Sequence, residues 1–117
     1  MTAAPVHRQG ELLLAFLVFS DGQGAKRRPV LVVGDFGDED LLVVPVTSHP
    51  ARVPSDVALT DWGEAGLKFP STARAGKLST IAKSCVARKL GALTPGDLGK
   101  IRQELTNLFR QLLPPRA

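Results

Sequence analysis

Three segments of the chain are apolar on successive residues instead of alternate ones: Glu11–Phe19, Pro29–Val33 and Leu41–Thr47. Each is short and bounded by Gly, Pro, Asp or Ser, the pattern of a buried β-strand. A strand that is apolar on both sides must be covered on both sides. A flat sheet with one wet face is therefore excluded, and the sheet must curl, acquire a second layer, or both. Pro45 lies inside the third segment, and because it cannot donate to a ladder it predicts an edge or a bulge there.

The later segments are shorter. Asp56–Leu59, Ser71–Arg74, Leu78–Ile81 and Ala87–Leu90 read as brief extended pieces, with breaks at Gly76 and Gly91. Between the first two, Trp62–Leu67 carries two glycines and reads as a turn. The lone Trp62 there is expected to pack against the sheet, with base stacking as the other role open to it.

The period changes at Thr94. Thr94 is a good N-cap, Pro95 suits the first helical position, and Asp97 suits the positive end of the helix dipole. Leu98, Ile101, Leu105, Leu108, Phe109 and Leu112 then recur at spacings of three or four. That spacing predicts one amphipathic helix within residues 94–113, stopped by Pro114-Pro115 and about 28 Å long. The expected class is mainly β with a helix (α+β), a small barrel or strongly bent sheet closed by that helix. A single domain over residues 1–117 is expected, with 1–9 as a loose lead-in.

Lys26-Arg27-Arg28-Pro29 runs directly into Val30-Leu31-Val32-Val33. Pro29 pushes Arg28 towards an extended conformation, so its guanidinium is expected at the mouth of a rigid strand. A planar fork held there suits phosphate oxygens, and a solvated charge run is the plain alternative. The charge distribution supports an anionic partner. Residues 1–71 hold six Lys/Arg against nine Asp/Glu, while residues 72–117 hold nine against two.

Other chemistries find no support. One cysteine and two histidines make a zinc site unexpected, and Cys85 reads as a small core or sub-surface residue. Glycine-rich dinucleotide and phosphate loops are missing, as is a Ser-His-Asp order, and no cofactor is expected. No apolar stretch approaches the roughly 20 residues of a membrane span. The N-terminus lacks a signal peptide's pattern, so a cytoplasmic location without membrane contact is expected.

Several segments in order resemble the MazF/PemK toxins of bacterial toxin–antitoxin pairs. They are Gly10-Glu11, Ser20–Gly24 with Lys26–Val32, Val46-Thr47-Ser48, Leu59 with Trp62, Gly66-Leu67 and Pro70-Ser71, Arg74 with Lys77-Leu78 and Thr80-Ile81, and Arg88–Gly91 with Leu93-Thr94. The resemblance spans roughly residues 10–112. It implies an SH3-like barrel, a homodimer, and a metal-independent, sequence-selective endoribonuclease acting on single-stranded RNA. It also implies a cognate antitoxin as partner, with DNA reached only through that antitoxin.

In such a reaction the ribose 2′-OH attacks the adjacent phosphorus and leaves a 2′,3′-cyclic phosphate and a 5′-OH. One proton must be taken, another given, and phosphoryl charge stabilised. The resemblance aligns Arg28, Thr47 and Arg74 with active-site residues. Arg28 is assigned to phosphoryl charge, because an arginine stays protonated and is a poor base. Thr47 would hydrogen-bond a phosphoryl oxygen or place the 2′-OH. Ser20, Gln23, Lys26, Arg27, Ser48 and Lys77 are expected to line the RNA path.

Gly76 departs from the pattern, since some relatives carry an acid there and glycine cannot accept a proton. His49 is the candidate replacement: two residues past Thr47, it would share that residue's face if the strand continued. Two alternatives stay open, a catalytically impaired module that binds RNA or antitoxin, and a toxin with a target other than RNA.

Overall fold

The computed structural model describes residues 6–18 and 25–113. Seven strands form one antiparallel sheet: β1 (Glu11–Val18), β2 (Ala25–Gly34), β3 (Asp40–Thr47), β4 (Asp56–Ala58), β5 (Thr72–Arg74), β6 (Ser79–Ala82) and β7 (Val86–Ala92). One helix, α1 (Pro95–Leu112), follows. The strand order is β4-β5-β3-β2-β1-β7, with β6 also paired to β3. The α+β class expected from the sequence is the class observed.

The doubly apolar strands are explained by two clusters on opposite faces. Leu12, Leu31, Val44, Val46, Leu59, Leu67, Ile101 and Leu105 meet on one side, where α1 lies. Leu13, Ala15, Val30, Val32, Leu41 and Val43 meet on the other, with Ile81 and Val86 packed against them. Neighbouring residues of one strand thus serve different clusters, as alternation requires. Trp62 packs against the first cluster, as expected.

Three local readings are corrected. β2 begins at Ala25, so Lys26, Arg27 and Arg28 are residues of the strand and do not precede it. β3 is central, pairing with β2 along one edge and with β6 and then β5 along the other. Pro45 opposes Val30 of β2, while on its other side it falls between the β6 pairs, which end at Val43, and the β5 pairs, which begin at Val46. Its missing N–H sits at this changeover, where a proline costs the ladder little.

β7, for its part, does not end at Gly91 but continues to Ala92. A Cβ on Gly91 would come 2.1 Å from the Ala65 carbonyl oxygen, and one on Gly66 would come 2.2 Å from that of Leu90. The two glycines let the Trp62–Leu67 turn lie directly on β7.

Buried carboxylates tie the loops down. Asp97, in the first turn of α1 and 1% exposed, accepts the backbone N–H groups of Thr60 and Asp61 at 3.1 and 2.8 Å. It also pairs with Lys100 at 3.3 Å. Burial alone would raise its pKa, but these donors outweigh burial and hold it below the ordinary value. Asp35 pairs with Lys83 at 2.8 Å and accepts the N–H groups of Val6, His7 and Gly37. The Lys83 ammonium is the main cause that keeps Asp35 well below the usual carboxylate range. Residues 6 and 7 of the expected lead-in are therefore anchored to the turn between β2 and β3.

Candidate active site

The register of β2 against β3 puts the first two candidate residues on one face. The β2–β3 pairs end where Val30 opposes Pro45, and Arg28 and Thr47 each lie two residues beyond that pair, on the same side of their strands as Val30 and Pro45. Cross-strand neighbours share a face. Arg28 also opposes the buried Ala15 of β1, which places its exposed side chain at the solvent end of the second apolar cluster. Lys26 emerges on the same face, opposite Leu17. Arg27 points to the other face, where its guanidinium lies 5.0 Å from the centre of the Phe16 ring. That contact is a cation–π pair and sets Arg27 apart from Lys26 and Arg28.

Thr47 is half-buried at the end of β3. Its Oγ1 accepts the N–H of His49 at 3.2 Å. A hydroxyl that accepts from its own loop keeps its hydrogen for donation elsewhere. The chain bends at Ser48 and His49, both exposed, so strand alternation stops at Thr47. The periodicity that was to carry His49 to the face of Thr47 does not operate there.

Thr47 also opposes Thr72 of β5, and Arg74 lies two residues on, along the same face. Arg28, Thr47 and Arg74 therefore share one side of the sheet across three adjacent strands. Arg74 in turn opposes Asp56 of β4. Its Nε donates to Asp56 Oδ1 at 3.1 Å, and the Asp56 side chain is 2% exposed against 21% for Arg74. Asp56 Oδ2 accepts the backbone N–H of Arg52 at 2.9 Å. Burial would raise the pKa of Asp56, but the Arg52 N–H and the Arg74 guanidinium overcome it and leave the carboxyl below its ordinary value.

Gly76 lies in a short 3-10 turn, Ala75–Lys77, between β5 and β6. A Cβ there would come 2.7 Å from Ser55 Oγ. The hydroxyl of Ser55 thus occupies the space that a side chain at position 76 would need. Lys77 follows in the same turn and is exposed. Ser20 and Gln23 lie outside the described residues.

Asp56 was missed by the sequence reading, although one signal pointed to it. It is the sole acidic residue between Asp40 and Asp61, and it opens a short extended segment. What the sequence lacked was the partner strand that would bring an arginine opposite it.

A model of the PemK-like, MazF-like toxins of type II toxin–antitoxin systems matches residues 8–109. The chain belongs to this toxin family. In the PemK/MazF family chain described here, the match covers β1 to β7 and most of α1. Solved structures share the fold at low identity. An endoribonuclease from a mycobacterial species, in complex with its cognate antitoxin, is 24% identical with a TM-score of 0.73, over 94% of this chain and all of that one. The toxin MazF-mt6 of Mycobacterium tuberculosis is 22% identical with a TM-score of 0.69, over 85% of this chain and 95% of that one. A MazE–MazF structure from Deinococcus radiodurans gives 22% and 0.72, over 89% and 96%. No curated protein sequence matches significantly. Among the described residues, no helix is long and apolar enough to cross a membrane.

Proposed function

We propose that this toxin is a sequence-selective endoribonuclease that cuts single-stranded RNA without a metal. The observation that carries the reading is the β2–β3 register, whose last pair, Val30 and Pro45, leaves the exposed Arg28 and the half-buried Thr47 two residues beyond it on one face. The ribose 2′-OH attacks the adjacent phosphorus, the bond to the 5′-oxygen breaks, and the products are a 2′,3′-cyclic phosphate and a 5′-OH. Negative charge grows on the phosphoryl oxygens during attack. Arg28 meets it with a guanidinium fork. Thr47, whose oxygen already accepts from His49, donates its hydroxyl hydrogen. Arg74, held at Nε, presents its remaining N–H groups along the same face. His49 takes and returns the proton from the bend beside Thr47. Lys26, Ser48 and Lys77, with Ser20 and Gln23, guide the RNA backbone, and the toxin works in the cytoplasm as a homodimer that a cognate antitoxin blocks.

The test is incubation of the purified protein with RNA and EDTA, followed by mapping of new 5′-OH ends. Cleavage that Arg28→Ala abolishes supports the reading. RNA left intact by folded protein sinks it. A His49→Ala variant with the wild-type rate and pH profile removes His49 from the scheme.

One observation favours a second reading. Position 76 has no side chain, and its space is taken by Ser55. A site without an acid there grips RNA or antitoxin and cleaves poorly. Salt-sensitive RNA binding without new ends is its signature, because phosphate contacts weaken steeply with ionic strength.

A further inference from the structure

We infer that Asp56 is a positioning residue for RNA cleavage, acting through Arg74; this rests on the ribonuclease reading above. Three observations carry it. Asp56 is an ionised carboxylate with its side chain 2% exposed, a placement that needs a reason because a buried charge is costly unless well paired. It grips Arg74 through Nε alone, at 3.1 Å, and leaves both terminal nitrogens of the guanidinium unclaimed by the carboxylate. Finally, the ladder places Asp56, Arg74, Thr72 and Thr47 on one face of β4, β5 and β3, with Asp56 on the side of β5 away from β3, so the carboxylate pins the guanidinium by its Nε on the face that Thr47 shares.

The geometry divides the work of the carboxylate. Oδ2 is spent on the Arg52 N–H, which closes the 52–56 turn, and Oδ1 is spent on Arg74. An arginine on a surface strand ordinarily samples many rotamers, and fixing it before substrate arrives removes that cost from the reaction. Substitution by asparagine keeps the shape, but its amide can offer an acceptor to only one of the two donors and turns an N–H towards the other.

A structural role confined to the 52–56 turn makes a different prediction, which a double-mutant cycle separates. Wild type, Asp56→Asn, Arg74→Ala and the double variant are compared by kcat and KM on one RNA oligonucleotide, with urea denaturation on each. Asp56→Asn should lower kcat about 10- to 100-fold with little change in KM, the scale of a misplaced catalytic group. In the Arg74→Ala background the same substitution should change kcat less than about threefold, because its target is gone. Losses that multiply overturn the inference.

Should Asp56→Asn fail to fold, Arg74→Ala is assayed with millimolar guanidinium, far below denaturing levels. Rescue by guanidinium but not by ammonium shows a seat built for the planar cation, and equal or no rescue overturns it. Wild-type protein that does not cleave RNA sinks the ribonuclease reading and this inference together. Wild-type cleavage with independent losses sinks the inference alone.

Discussion

The two ends of the candidate site are built in opposite ways. At the β2 end, Arg28 stands on an exposed strand position above an apolar cluster, with Thr47 on the same face of the neighbouring strand. At the β4–β5 corner, Arg74 is four-fifths covered and held by a carboxylate that is almost wholly buried. The first arrangement keeps its cation at the solvent boundary, where a change costs the fold little. The second joins function to stability, because the charge that orients Arg74 is itself interior. A site that spans both corners can lose activity at one end without loss of folding, but not at the other.

The largest expected effect tests that contrast directly. Arg28→Ala should lower cleavage by about 10²–10³-fold, the scale of removing one charge-stabilising donor, and leave urea-denaturation stability within roughly 0.5 kcal/mol of wild type. Arg74→Ala should lower cleavage by a smaller factor of about 10–100, and cost roughly 1–3 kcal/mol of stability by stranding Asp56. Equal stability of the two variants would erase the distinction between the corners.

Next in size is the glycine corner. Gly76→Asp alone should add little activity, because the new Cβ meets Ser55 Oγ at 2.7 Å and that hydroxyl must turn aside, at small cost in stability. Gly76→Asp with Ser55→Ala should raise the cleavage rate by about tenfold or more, since a positioned acid or base contributes on the order of 10²–10⁴ when fully aligned. An unchanged rate in the folded double variant would show that no acid is needed at this place.

The smallest effect is on acid stability. Asp35, Asp56 and Asp97 all have native pKa values lowered from 3.8. A carboxylate with a depressed native pKa contributes stability that is complete above its unfolded value and is lost as pH falls through its native one. Unfolding free energy should therefore stay level from neutral pH to about 4 and fall below it. Asp56→Asn should flatten part of that fall, because one of the linked protons is gone.

Much of the fold was legible in the residues. Thr94, Pro95 and the spacing from Leu98 to Leu112 announce α1, and the cap is realised: the Thr94 side chain accepts from the Asp97 N–H and its carbonyl from the Leu98 N–H. The doubly apolar strands correctly demanded cover on both faces. Asp97 illustrates what stayed hidden. The dipole argument explains its place in the first turn, but its closer partners, Thr60 and Asp61, lie 37 and 36 residues away. The end of α1 is similar: Phe109, 47% exposed, and Leu112, 71% exposed, obey the helical period without being buried by the sheet. Periodicity states which side of a helix is apolar, and it does not state how far along the helix the covering layer reaches.

Capping, turn chemistry and strand pattern act over a few residues, so the order of elements and the alternation within them can be read from the chain one stretch at a time. Cross-strand register links residues that are far apart in sequence, and no local preference encodes it. Arg28 and Thr47 are 19 residues apart, and Asp56 and Arg74 are 18. That each pair shares a face depends on how β2, β3, β4 and β5 slide against one another until both apolar faces are covered at once. A slip of one residue would turn each of these side chains to the opposite face, and it is the packing of the two clusters that forbids the slip.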